Sequence, residues 1–172
     1  MARAYISVGS NIDRERNLIA ALDALSAVFG HLVLSSVFES ESVGFEGDPF
    51  YNVVVGVDTA QSVGELTEAL RAIEDEGGRR RDTPRFGART LDLDLLTYAD
   101  VVGVVDGVSL PRGEITASAF VLRPLAEIAG AEMHPVTQRS YAELWRDFNN
   151  GEQRLWPVDF VWDGVRVSRA GS

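Results

Sequence analysis

Arginines are concentrated in one short stretch of the chain. Residues 77–90, GGRRRDTPRFGART, contain five arginines and one aspartate, whereas the whole 172-residue chain has a formal charge of −10. Guanidinium groups bind phosphate oxygens through several hydrogen bonds at once, and glycine and proline are typical of a loop that closes over a ligand. The stretch predicts a phosphate-binding loop. The alternative is a solvated loop whose arginines pair with nearby acids.

Two aspartates follow this loop. In TLDLDLLTY, residues 90–98, leucine and aspartate alternate with the period of a β-strand that has one buried face. Asp92 and Asp94 then point to the same side of the strand, about 7 Å apart. Such a pair can hold a hard divalent cation such as Mg²⁺, with water and phosphate oxygens as the other ligands. A solvated strand face is the alternative, because two alternating aspartates are a weak motif alone.

A third set of residues is aromatic and amide. Phe50, Tyr51 and Asn52 open a strongly β-type run, and Phe120 lies in a later apolar segment. Aromatic rings are most often core residues. Two rings and an amide can also enclose a flat heterocycle and bind its edge.

Composition limits the possible classes of protein. The chain has no cysteine, which excludes thiolate chemistry and disulfides, and its negative charge argues against a nucleic-acid partner or an anionic membrane surface. No apolar run is long enough for a membrane span or a signal peptide, so we expect a cytoplasmic protein. It also has no lysine and no P-loop motif, which excludes a P-loop mechanism.

Hydrophobic periodicity and turn residues predict the elements that position these groups. The predicted strands are residues 4–9, 31–40, 50–59 and 90–98, with a hairpin at 160–167. The predicted helices are 13–29, 62–76 and 118–130; we expect Gly77 and Gly78 to end the second and Pro124 to interrupt the third. The order β-α-β-β-α-β predicts a ferredoxin-like α+β sandwich, mainly antiparallel, in which residues 1–172 form one domain.

Four segments together resemble the 6-hydroxymethyl-7,8-dihydropterin pyrophosphokinase family. They are YISVGSN, FYNVVV, RRRDTPRFGARTLDLDLL and FVLRPLAEIA, and the resemblance spans roughly residues 3–130. It implies a ferredoxin-like enzyme of folate biosynthesis that transfers the terminal pyrophosphoryl group of ATP to the pterin and releases AMP. It also implies two Mg²⁺ ions. ATP and a pterin are the expected small-molecule partners, and we expect a monomer.

The resemblance also implies roles for individual residues. The metal ligands would be Asp92 and Asp94. The cations that neutralise the triphosphate and its transition state would be Arg79, Arg81 and Arg89. The pterin site would comprise Val43, Gly44, Phe50, Asn52, Phe86 and Phe120. The nucleotide site would include Glu74, Arg85 and Arg112.

The chain departs from the family pattern at three places. Arg112 replaces a histidine that contacts the nucleotide, Ser118 replaces a basic residue, and the acidic loop 39–48 lacks the prolines around the pterin pocket. Two alternatives therefore stay open: a catalytically weakened paralogue that binds pterin or nucleotide, and an enzyme with a different acceptor. Residues 131–172 lie beyond the resemblance, and we expect a C-terminal extension that packs its aromatic side chains on the sheet. The alternative for this segment is partner binding through an exposed sheet edge.

Overall fold

The computed structural model describes residues 1–41, 49–79, 91–149 and 153–171. Its strands are β1 (Ala2–Ser10), β2 (Val33–Leu34), β3 (Phe38–Ser40), β4 (Phe50–Thr59), β5 (Asp92–Tyr98), β6 (Gly103–Val105), β7 (Val108–Leu110), β8 (Leu155–Pro157), β9 (Phe160–Trp162) and β10 (Val165–Ser168). Its helices are α1 (Arg14–Phe29), α2 (Val63–Arg79), α3 (Glu114–Ala117), α4 (Ala119–Ala129) and α5 (Tyr141–Arg146). None of these helices combines the length and apolar content needed to cross a bilayer.

The main sheet is antiparallel throughout. Its strand order is β5-β1-β4-β3-β8, and β2 pairs with β4 beside β3. The central pair, β1 and β4, is in register from Ala2 opposite Thr59 to Ser10 opposite Tyr51. With β2 and β3 taken as one interrupted strand, β1 to β5 and the two long helices have the ferredoxin-like connectivity. This confirms the predicted fold class.

Alternation along the strands separates two cores. Ile6 in β1 and Val55 in β4 face α1 and α2, where they pack with leucines such as Leu22. Tyr5 and Val54, one residue earlier, face the opposite side and pack beneath α4. The sheet is therefore covered on both faces, and polar side chains on the α4 face need a cavity or a partner.

The predicted strand at 31–40 is wrong in one respect, because it is split into β2 and β3. At the break, the Ser35 hydroxyl donates to the Ser36 carbonyl and accepts from the Val54 N–H. The Ser36 N–H turns away to the carboxylate of Glu127. Serine side chains that bond to the backbone compete with the strand ladder, which explains the interruption.

Two helix predictions also need correction. Helix α2 does not end at Gly77 but continues to Arg79. A Cβ on Gly77 would lie 3.3 Å from the Leu91 side chain, so this glycine permits a close approach of the segment entering β5. Helix α4 runs through Pro124 without interruption, and the proline ring is buried with Leu122 and Leu125. Packing on the sheet stabilises the turn at which the proline removes one backbone donor.

The C-terminal segment contacts the rest of the protein at three places. Helix α5 packs on α4, β8 extends the main sheet beside β3, and the β9–β10 hairpin lies near α1. The indole N–H of Trp162 donates to Asp23 of α1 at 2.9 Å. The predicted hairpin is confirmed, with Asp163 and Gly164 both at positive φ in its turn.

Candidate active site

One cavity of about 450 Å³ opens on the α4 face of the sheet. The sheet contributes side chains from adjacent antiparallel strands, and α3, α4 and the segment before them contribute the opposite wall. Apart from Leu96 and Val121, the lining residues are Ser7, Gly9, Ser40, Glu41, Phe50, Asn52, Asp92, Asp94, Arg112, Glu114 and Phe120. The cavity thus contains carboxylates, an amide, two aromatic rings and a guanidinium group.

Asp92 and Asp94 lie side by side at this cavity, as alternation in β5 predicts. Asp94 is opposite Ser7 and Asp92 is opposite Gly9 in the neighbouring strand β1. The side chain of Asp94 is 47% exposed, so its carboxylate is open to a ligand. Between the two aspartates, Leu93 is buried on the other face of the sheet.

This donor set fits a hard divalent cation. Two carboxylates on one strand face provide oxygen ligands, while the described residues contain no cluster of three or more histidine, cysteine or acidic side chains with metal-binding geometry. A cation held here would take its other ligands from water or from the substrate. Mg²⁺ commonly binds in this way, with one or two carboxylates and substrate phosphates.

The amide of Asn52 is buried and is held through its nitrogen. Asn52 is 3% exposed, and its Nδ2 donates to the Ser40 hydroxyl at 2.8 Å. A Cβ on Gly9 would lie 3.0 Å from Asn52 Oδ1. Glycine at this position therefore gives the amide oxygen room at the cavity wall.

Phe50 and Phe120 both contribute to the cavity, from different elements. Phe50 begins β4, and Phe120 lies in the first turn of α4; both are half-buried. Aromatic rings on two walls with an amide between them can bind a flat heterocycle by stacking and by hydrogen bonds to its edge. The structure brings these three residues to the same cavity as the aspartates.

Arg112 reaches the cavity from the segment after β7. Its Nη2 lies 3.7 Å from Asp94 Oδ1, and its Nη1 lies 3.3 Å from Glu114 Oε2. Its Nε also donates to the Leu95 carbonyl at 3.2 Å. The guanidinium group is thus held against the strand that carries the two aspartates.

Glu74 contacts the aspartate strand from α2, although it does not line the cavity. Its carboxylate accepts a hydrogen bond of 2.8 Å from the backbone N–H of Leu93, between Asp92 and Asp94. β5 is the edge strand of the sheet, so this bond satisfies a donor on its outer side.

Several site residues named from the sequence lie outside the described residues. They are Val43, Gly44, Arg81, Arg85, Phe86 and Arg89. Arg79 is the last residue of α2, and only its backbone is described.

The sequence did not indicate four polar cavity residues: Ser7, Ser40, Glu41 and Glu114. Ser7 could have been predicted to line the cavity, because it lies two residues from Gly9 and therefore on the same face of β1, whose other face is apolar. The two glutamates had no comparable signal, since their approach to the cavity depends on the tertiary fold.

Ser118 and Arg123, on either side of Phe120 in the chain, form contacts with other residues of the protein. The Ser118 carbonyl accepts from the Val121 and Leu122 N–H groups at the start of α4. The Arg123 guanidinium lies 4.7 Å from the Phe38 ring centroid and donates to the Leu155 carbonyl at 3.3 Å. Arg123 therefore connects α4 to β3 and β8, and it does not line the cavity.

A larger groove, of about 890 Å³, lies between α1 and α2 on the other side of the sheet. Six of its lining residues are alanines, and its charged residues are Arg16, Asp23 and Glu76. Two of these three charges are negative, so the groove is poorly suited to a phosphorylated ligand. The cavity on the α4 face is the better candidate for chemistry.

Comparison with known proteins identifies the family. A family profile described as 7,8-dihydro-6-hydroxymethylpterin-pyrophosphokinase (HPPK) matches residues 5–130. Among proteins named 2-amino-4-hydroxy-6-hydroxymethyldihydropteridine pyrophosphokinase, that of Pseudomonas aeruginosa is 39% identical over 131 residues, covering 74% of this chain and 80% of the relative. The Haemophilus influenzae protein of the same name is 38% identical over 142 residues, covering 80% of this chain and 88% of the relative.

Solved structures agree on the fold. The HPPK-DHPS of Plasmodium falciparum matches 99% of this chain with a TM-score of 0.73 at 14% identity. The chain spans about half of that protein, with 49% covered. Together, the profile and the curated relatives show that this chain belongs to the 7,8-dihydro-6-hydroxymethylpterin-pyrophosphokinase family.

Proposed function

We propose that the protein transfers the terminal pyrophosphoryl group of ATP to the hydroxymethyl oxygen of 6-hydroxymethyl-7,8-dihydropterin. A bond forms between that oxygen and the β-phosphorus, and the bond from the β-phosphorus to the oxygen bridging it to the α-phosphorus breaks. AMP leaves with the bridging oxygen, and the hydroxyl proton passes to solvent. Besides family membership, the observation that carries this proposal is one cavity that brings together Asp92 and Asp94, two aromatic rings and the buried amide of Asn52.

Asp92 and Asp94 would hold two Mg²⁺ ions. Bound divalent ions supply charge neutralisation and orientation to phosphoryl groups. The two carboxylates lie on the strand next to β1, and their alternation brings both toward the same side of the cavity. Through the ions, these two carboxylates would position the phosphate chain of ATP. The neutral acceptor hydroxyl then needs correct alignment more than a strong protein base.

The pterin would lie between Phe50 and Phe120, with Asn52 at its edge. Asn52 uses Nδ2 to donate to Ser40, which leaves its oxygen toward Gly9 as an acceptor for a ring N–H. Val43, Gly44 and Phe86 are proposed to complete this site, on the family resemblance alone.

The nucleotide would be bound by cations near the carboxylates. Arg112 already lies in the cavity, and Arg79, Arg81, Arg85 and Arg89 are proposed to join it on the family resemblance. Together, five guanidinium groups near a triphosphate would neutralise its charge as the β-phosphorus is transferred. Glu74 is proposed to act near the nucleotide through its contact with β5.

We further propose a cytoplasmic monomer in which residues 131–172 belong to the same domain as the core. Strand β8 in the main sheet and the Arg123 contacts support the domain proposal.

The test measures AMP formation from ATP and Mg²⁺, with and without 6-hydroxymethyl-7,8-dihydropterin. We expect pterin-dependent AMP, reduced at least about a hundredfold in Asp94→Asn because the metal site loses a ligand. Asp163→Asn, at the turn of the β9–β10 hairpin, is the matched control and should retain the wild-type rate. Pterin binding without AMP would contradict the proposed reaction, as would AMP formation that occurs only with a different acceptor.

A further inference from the structure

Arg112 gives Asp94 a positive partner that belongs to the protein itself. The guanidinium Nη2 lies 3.7 Å from Asp94 Oδ1, on the carboxylate proposed to hold a metal ion. An arginine stays protonated at any physiological pH, so this positive charge is permanent. A metal ion that binds Asp94 must therefore approach a site where a cation is already present.

The position of Arg112 is set by the same strand that carries the carboxylates. Its backbone N–H donates to the Leu96 carbonyl at 2.9 Å, and its Nε donates to the Leu95 carbonyl. Two bonds to β5 keep the guanidinium group close to Asp94 in the free protein. The charge is consequently a fixed feature of the site.

The pair is nevertheless accessible and separable. The side chains of Arg112 and Asp94 are 35% and 47% exposed, and their separation is that of a long ion pair. Ion pairs with this exposure are weak, so a stronger anion can replace Asp94 as the partner of Arg112. A triphosphate is such an anion, because a guanidinium group binds phosphate through two or more charge-assisted hydrogen bonds.

We propose that Arg112 competes with the divalent metal ion for Asp94 and thereby couples metal binding to nucleotide binding. This inference rests on the proposed function, because it assumes that Asp94 is a metal ligand. Without nucleotide, metal and guanidinium repel each other across Asp94, and the metal binds weakly. With nucleotide, Arg112 has phosphate oxygens as partners, and the repulsion is offset. Each ligand then raises the affinity for the other by the same factor.

The test measures Mn²⁺ binding to the full chain by electron paramagnetic resonance. Titrations are made without nucleotide and with a non-hydrolysable ATP analogue. Removing one positive charge beside Asp94 in Arg112→Gln should tighten Mn²⁺ binding in the absence of nucleotide by about three- to tenfold. The factor by which the analogue improves Mn²⁺ affinity should fall. Arg112→Lys keeps the charge and should resemble the wild type more closely than Arg112→Gln does.

A matched control separates this effect from net charge. Arg166 lies in β10 of the C-terminal hairpin and forms an exposed ion pair with Asp159 at 3.6 Å. Arg166→Gln therefore removes the same charge from a comparable pair. It should leave Mn²⁺ affinity unchanged. Arg112→Met, which is uncharged at every pH and keeps a long side chain, provides a second variant should the glutamine variant fail to fold.

The outcomes distinguish this inference from the proposed function. Unchanged Mn²⁺ affinity without nucleotide in a folded Arg112→Gln or Arg112→Met protein would overturn the coupling by Arg112. If Mn²⁺ still bound with the analogue and required Asp94, the metal site of the proposed function would stand. If Mn²⁺ failed to bind even with the analogue, the proposed metal site itself would be wrong.

Discussion

The carboxylate of Glu74 accepts a hydrogen bond from the backbone N–H of Leu93, the residue between Asp92 and Asp94. A helix on one face of the sheet thereby holds the edge strand whose two aspartates point to the other face. Groups that orient metal ligands usually affect metal affinity and activity even though they do not touch the metal. Glu74 is thus placed to act as a positioning residue.

We expect Glu74→Ala to weaken Mn²⁺ affinity, measured with a non-hydrolysable ATP analogue, by about tenfold. Glu74→Gln should lie much closer to the wild type, because a glutamine oxygen can still accept from Leu93. If the glutamine variant lost as much affinity as the alanine variant, the charge of Glu74 would matter and the bond to Leu93 would not explain its role.

The two aromatic rings at the cavity should contribute directly to pterin affinity. Removing either ring in Phe50→Ala or Phe120→Ala should weaken pterin binding by about tenfold to a hundredfold, the usual effect of losing a stacking partner for a heterocycle. Isothermal titration with pterin would measure this, and nucleotide affinity measured without pterin should not change.

Phe148→Ala is the control for these variants. Phe148 stacks on Trp145 with ring centroids 5.7 Å apart and does not line the cavity. Phe148→Ala also removes one phenyl ring. Equal losses of pterin affinity in all three variants would therefore indicate a general effect on stability.

Gly9 should be required for the position of the Asn52 amide. In Gly9→Ala, the new Cβ would lie 3.0 Å from Asn52 Oδ1, so the amide must shift or give up its bond to Ser40. We expect pterin affinity to fall about tenfold, the cost of misplacing one buried hydrogen-bonding group. Titration with pterin measures the effect.

Gly113→Ala is a suitable comparison, because a Cβ there would meet no atom within 4 Å. It should bind pterin as the wild type does. Wild-type pterin affinity in Gly9→Ala would contradict the prediction, because the Asn52 amide could then shift without weakening pterin binding.

His134 should make stability depend on pH. Its Nδ1 accepts hydrogen bonds from the N–H groups of Val136 and Thr137, and burial lowers the pKa of His134. Below the ordinary histidine pKa of about 6.5, the unfolded chain binds a proton that the folded protein resists. The free energy of unfolding should therefore be fully maintained above that pH and decrease as the pH falls below it.

Urea unfolding at several pH values between about 7.5 and 5.5 would measure this decrease, which a single group limits to about 1.4 kcal/mol per pH unit. His134→Asn keeps a side-chain acceptor but has no titrating group in this range. Its stability should change less with pH, and an identical pH dependence would assign the effect to other groups.

The strands and the aspartate pair were predictable from the chain because they depend on local geometry. A period of two places Asp92 and Asp94 on one side of β5 whatever the strand packs against. The motifs also sufficed for the family, which the comparisons confirm. The split of the second strand escaped prediction, because it depends on Ser35 bonding to Val54, which is distant in the chain.

The sequence by itself therefore determined the ferredoxin-like order of elements, the face of β5 that carries the carboxylates, and the family. Only the tertiary structure decided which partners these groups have. Arg112 forms an ion pair with Asp94, and Glu74 accepts a hydrogen bond from Leu93. Phe120 lines the same cavity as Phe50. These contacts form because the antiparallel sheet and α4 bring distant segments together. The residues in these contacts are far apart in the chain, so no local sequence pattern predicts them.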